Sequence, residues 1–194
     1  MRIRAVKGIR NANYLENGAV DCEVLFEGET EFVPYTAMQD DTAPTGQRIW
    51  EELQSGKWGK IAPFTVTPEL IAAAKDAKKQ EIEAWRKEQE AQPFTFEWNG
   101  RTWNAGPDSL NRLYPTVMAS KSDTARKTMV WGDAENQQVR LSMQKLDELL
   151  TAMAQAQVDR NDEIYRRQRE MKQELNNLED LHSIRKLVVS SEKP

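Results

Sequence analysis

The chain is 194 residues long, which suits one domain of ordinary size or two small ones. Its 27 Lys and Arg against 31 Asp and Glu leave a net charge of −4, which gives no electrostatic reason to expect a nucleic-acid partner. A single cysteine, Cys22, excludes an internal disulfide, and no apolar run approaches the length that crosses a bilayer.

With 39% hydrophobic and 30% charged residues and a mean hydropathy of −0.76, the chain can build modest cores under a strongly solvated surface. Small cores bury a small fraction of their chain, so a partner or a second copy would add stability. The start, Met1 to Lys7, lacks the apolar core of a signal peptide, and the chain is expected to be cytosolic when made.

Residues 1–67 read as a β-rich domain. Val20, Cys22, Val24 and Phe26 alternate with Asp21, Glu23 and Leu25, the period of a half-buried strand. Gly28 supplies a turn and Glu31 to Tyr35 begins a second extended run, so the pair is expected to form a hairpin. Asn17-Gly18 marks a turn upstream, which makes Arg2 to Val6 and Asn13 to Leu15 further strand material. After the polar loop 40–46, Thr45 is expected to cap a short helix whose apolar face is Ile49, Trp50 and Leu53. Gly56 ends that helix, and Trp58, Ile61, Pro63 and Phe64 form an extended exit.

Thr67-Pro68-Glu69 is a helix start, with a cap, a proline at the first position and an acid in the first turn. Only Leu70, Ile71, Ile82 and Trp85 are large apolar residues before Gln92-Pro93 stops the helix. Residues 68–92 are therefore expected to be a helical connector, or an arm that pairs with a partner.

Residues 93–156 read as a second, α+β domain. Phe94, Phe96 and Trp98 alternate, and Asn99-Gly100 then leads to Thr102 and Trp103, a strong hairpin signal. A helix opened by Pro107 or Asp108 carries Leu110, Leu113 and Val117. Two short strands follow, Thr128 to Trp131 and Gln138 to Leu141, and Ser142 caps a long helix with Met143, Leu146, Leu149, Leu150 and Met153 on one face. Beyond Ala156 that face is interrupted by Gln157, Arg160, Arg167 and Glu174 between Ile164, Met171, Leu178 and Leu181. Residues 157–194 are expected to be an extended helix and tail, projecting or dependent on a partner, with Leu187 to Val189 docked or frayed. The fold class is α+β: a small β-rich N-terminal domain, a helical connector, and a second small α+β domain ending in a long C-terminal helix.

No catalytic constellation can be assembled. His182 is the only histidine, and one His with one Cys cannot make a zinc quartet. Neither a phosphate-binding glycine loop nor a nucleophile elbow is present. Asp40-Asp41 fits a loop cap better than a cation site, and Cys22 fits a buried small hydrophobe. Arg166, Arg167 and Arg169, set among Glu163, Glu170 and Glu174, read as a solvated helix face. The expectation is no enzyme, no cofactor and no metal. Trp103 and Trp131 are assigned to the core, Trp58 and Trp98 are divided between core and interface, and Trp85 is the best interface candidate because its helix gives it little cover.

The run Val33-Pro34-Tyr35-Thr36-Ala37, then Asp40-Asp41, Gly46, Ile49-Trp50, Gly56, Trp58-Gly59 and Ile61-Ala62-Pro63, resembles the N-terminal part of the phage tail-fibre assembly chaperones. Phe94-Thr95-Phe96, Asn99-Gly100, Asp108-Ser109-Leu110, the Trp131 strand and the Asn136 to Leu141 run resemble an uncharacterised phage domain. The tail after residue 160 matches neither. The resemblance implies a chaperone that helps a phage tail-fibre protein fold or trimerise in the host cytoplasm, with retention on the mature fibre as a second location. It supplies no catalytic residues. Within it, Phe32, Tyr35, Trp50 and Trp58, together with Trp85 and Trp98, are the expected contact residues, and the long C-terminal helix is expected to join copies into a homo-oligomer. The alternative is a structural virion component, a fibre or baseplate adaptor bound permanently. Neither nucleic acid nor membrane is an expected partner.

Overall fold

The computed structural model describes residues 3–122 and 127–193. Arg2, expected to open the first strand, lies outside the described residues. The fold is α+β, and the chain divides into two units, Met1–Thr67 and Pro68–Pro194.

The first unit is a three-stranded antiparallel sheet with one helix. Strands β1 (Val6–Tyr14), β2 (Val20–Phe26) and β3 (Val33–Ala37) lie in the order β1-β2-β3, and helix α1 spans Pro44–Gln54. The alternation along β2 does what its period dictates: Val20, Cys22, Val24 and Phe26 are all buried. Ile49 and Leu53, one helical turn apart on α1, close over that face with Ile9 and Ala37. Each such buried aliphatic side chain contributes about 1.5–3 kcal/mol.

Two local expectations change. The first strand is one continuous element rather than two pieces, because register shifts after Val6 and Arg10 break the alternation that would have betrayed it. The cap of α1 is Ala43, not Thr45: Pro44 takes the first helical position, the Asp41 carboxylate accepts from the Ala43 N–H at 2.8 Å, and Thr45 Oγ1 instead accepts from the Arg4 backbone N–H at 3.2 Å. The exit segment covers the outer edge of β1, where Ala62 exchanges backbone bonds with Ala12 and Tyr14 at 3.0 and 2.8 Å. β3 is the other edge, and the proline it carries, Pro34, suits a sheet margin.

The second unit contains α2 (Pro68–Ala91), the hairpin β4 (Phe94–Trp98) and β5 (Arg101–Ala105), α3 (Pro107–Ser120), the hairpin β6 (Thr128–Gly132) and β7 (Gln138–Ser142), α4 (Met143–Asn177) and α5 (Leu181–Lys186). Asn99 and Gly100 take φ of 52° and 74°, the left-handed pair that a tight hairpin turn requires. The Ser142 hydroxyl caps α4 by accepting from the Lys145 N–H at 3.1 Å. One core forms where the hairpins, α3 and the first half of α4 meet, around Trp103, Leu113, Val117, Leu146, Leu149 and Met153.

The second half of α4 does not project, and α2 is not a bare connector. α2 packs along α4 and against α5, burying Ala74 and Ile82 on one side and Ile164, Met171, Leu175, Leu181 and Ile184 on the other. Polar links complete the seam: Glu83 accepts from Gln168 at 2.8 Å, and the Lys78 ammonium, itself buried, donates to the carbonyls of Arg185 and Leu187 at 3.3 and 3.1 Å. Two thin apolar stripes close on each other because alanines allow a close approach and long side chains bury their stems. The seam expected to join copies into a homo-oligomer is thereby occupied within one chain. Arg167, expected on a solvated face, is 3% exposed: its guanidinium donates to the carbonyls of Ser190 and Glu192 and meets the carboxylates of Glu170 and Glu174. Arg166 is exposed between Glu163 and Glu170, as a solvated face demands.

Candidate functional site

In the first unit, the expected contact residues fall in two groups. Tyr35, Trp50 and Trp58 all pack half-buried against the core. Tyr35 donates its hydroxyl to Asp41 at 3.2 Å, and burial, then the Asp41 carboxylate, push its phenol above the usual value. The Trp58 indole donates to the buried Glu52 at 2.8 Å, which fixes the ring. Phe32 is half-buried under the Arg10 guanidinium, 4.1 Å from its centroid. Of these, Trp50 lines an open cleft, about 460 Å³, made by the Asn17-Gly18-Ala19 turn, Met38 and Asp40. Met38 is exposed at the end of β3, so an apolar and aromatic cleft adjoins the free sheet edge. Cys22 is buried, and desolvation, then the Asp21 carboxylate, push its thiol up to about 11, which leaves it a packing residue.

In the second unit, Trp98 belongs to the core boundary. Its ring meets Trp103 edge-on at 5.9 Å, and its carbonyl accepts from the Trp103 indole at 2.9 Å. Trp131 is half-buried against the same core. Trp85 lines a small pocket between α2 and α4 that also holds Arg160.

A larger open surface than that cleft lies between α3 and α4, and sequence reasoning missed it. Leu110, Tyr114 and Pro115 of α3 face Leu150, Ala154 and Val158 of α4 across an apolar groove of about 650 Å³. Tyr114 is 56% exposed and Val158 53%. Met118 is exposed one turn beyond Tyr114. The polar lining, Asn111, Thr151 and Gln155, is uncharged. Pro115 has no N–H to give the Asn111 carbonyl one turn earlier, so that intrahelical bond is not made. The signal was in the sequence: Leu110, Tyr114 and Met118 recur every four residues beside the Leu113 and Val117 core stripe, as do Leu150, Ala154 and Val158. An apolar groove flanked by two helices, with uncharged polar groups along it, can take an apolar strand or an amphipathic helix of another protein.

Among the described residues no group of three or more His, Cys, Asp or Glu lies close enough to hold a metal ion, and no helix is long and apolar enough to cross a membrane. A family described as a domain of unknown function, DUF4376, matches residues 73–186, and the chain belongs to that family. No curated protein and no solved structure matches the chain. The matched span runs from the first turns of α2 to the end of α5, so it takes in the α3–α4 groove.

Proposed function

We propose that this chain is an assembly factor for a phage tail-fibre protein, acting by binding rather than by catalysis. The observation that carries the reading is the α3–α4 groove, which leaves Tyr114, Met118 and Val158 in water at a cost that only a partner would offset. Fibrous, β-rich trimers fold through states that expose apolar surface and unpaired strand edges. A protein that offers an apolar groove on one unit, and an aromatic cleft beside a free strand edge on the other, can cover both kinds of surface until the trimer closes. The resemblance of residues 33–63 to tail-fibre assembly chaperones supplies the identity of the partner class and the host cytoplasm as the place of work.

Co-expression with the neighbouring fibre protein, followed by size exclusion with light scattering, tests this. The fibre should be soluble and trimeric only when this chain is present. A fibre that trimerises equally well alone, with no complex formed, overturns the reading. Recovery of the chain at fixed stoichiometry in purified particles would instead assign it a permanent place as a fibre or baseplate adaptor.

A further inference from the structure

Among the described residues, Arg160 is a cation without an anion. It sits half-buried on α4 with its guanidinium 5.0 Å from the centroid of the Phe94 ring. Its Nε is enclosed and meets no acceptor, and among the described residues no carboxylate lies within ion-pairing distance. Taking a guanidinium part-way out of water costs free energy unless a charge or a set of acceptors compensates. An aromatic face offsets only part of that cost.

Beside Arg160 lies a pocket of about 180 Å³, walled by Trp85 and Gln89 of α2, Arg166 and Arg167 of α4, and Ser191. The neighbouring charges are already used. Arg167 is saturated by two carbonyls and two carboxylates, and Arg166 is held by Glu163 and Glu170. Glu163, the acid that lines the pocket, is engaged by Arg166 at 2.8 Å and leaves Arg160 unpaired. Gln89 accepts weakly from the Ser191 hydroxyl at 3.5 Å, which leaves its amide hydrogens free to donate.

We propose that this pocket receives a carboxylate side chain from an acidic segment of a partner protein, with Arg160 as the cation that pairs with it, Gln89 as a second donor and Trp85 as the aromatic wall. A planar carboxylate matches the guanidinium fork, and the aromatic walls lower the local dielectric and strengthen the pair. The site stands apart from the fibre reading, since it needs no fibre to be measured.

The experiment uses the whole chain and a hexaglutamate peptide, with the Trp85 indole and the Arg160 Nε–H followed by NMR at constant ionic strength. Saturable shifts of both signals are expected. Arg160→Gln should weaken binding by about tenfold or more, the worth of a charge-assisted bond, while Arg169→Gln, which removes the same charge from an exposed residue of α4 outside the pocket, should change it less than about twofold. Circular dichroism of each variant guards against loss of fold, and Gln89→Ala, which leaves Arg160 in place, should weaken binding on its own. Equal loss from Arg160→Gln and Arg169→Gln, or shifts that sodium chloride reproduces, would reduce the effect to general electrostatics and overturn the proposal. Saturation by inorganic phosphate but not by hexaglutamate would overturn the carboxylate assignment.

Discussion

The Tyr165 hydroxyl donates to Glu90 at 2.5 Å, tying the middle of α4 to the last turn of α2 across 75 residues of sequence. Glu90 in turn holds Arg86 at 2.9 Å, so the bond belongs to a chain of polar contacts along the seam. That seam makes the second half of α4 a structural partner of α2 rather than a free arm.

A chain truncated after residue 155 should therefore lose more than the deleted helix. Ile82 and Ala74 would be stripped of their cover, and α2 with so few large apolar residues should fray. Limited proteolysis should then cut between residues 68 and 91, where the intact chain resists. In the intact chain, Ile82→Ala should cost about 2–5 kcal/mol in denaturant unfolding. Resistance of the truncated α2 would refute the packing.

Gly46 sits where no side chain fits. A Cβ there would collide with the Asp41 carboxylate and come within 2.7 Å of the Tyr35 hydroxyl. Gly46→Ala should break the Tyr35–Asp41 hydrogen bond and destabilise the first unit by about 1–3 kcal/mol, seen as a lower urea midpoint. Adding Tyr35→Phe should recover little, because the carboxylate collision remains.

Val158→Asp places a charge in the α3–α4 groove at a residue that is exposed and outside the core. The melting temperature should stay close to that of the parent, since such surface changes fall within about 0.5 kcal/mol. Fibre trimer yield on co-expression should collapse. An undiminished yield would remove the groove from the binding surface.

The hydrogen bond from the Lys172 ammonium, then that from the Arg86 guanidinium, hold the Glu83 carboxyl down to about 2, against 4.5 for an unperturbed glutamate. A depressed carboxyl stabilises the fold above pH 4.5 and surrenders that contribution as the pH falls towards 2. Thermal unfolding followed across that window should show a shallower decline for Glu83→Gln than for the parent. Parallel curves would show that the carboxylate adds nothing.

How much was legible depends on what each residue has to satisfy. The alternation of Val20 to Phe26, the Asn99-Gly100 turn and the Ser142 cap are local requirements, and each appears where its pattern places it. The packing of α2 on α4 was hidden because its stripe is built from Ala74, the stem of Lys78 and Ile82, a set that hydrophobicity alone does not flag. Arg167 was misread for the same reason: it is buried by backbone carbonyls contributed from 23 and 25 residues away, which no local window contains. The tryptophans were singled out by type, and of them Trp50, Trp85 and Trp131 line open space. The α3–α4 groove was missed because attention to one helical face concealed a second one beside it.

Arg167 grips segment 190–192 through the main-chain oxygens of Ser190 and Glu192. Main-chain oxygens are the same whatever side chain they accompany. The grip from α4 therefore reads the backbone of that segment rather than its side chains. A substitution at 192 leaves that grip intact, whereas one at 190 also removes the Ser190 hydroxyl that donates to the Glu192 carbonyl at 2.7 Å.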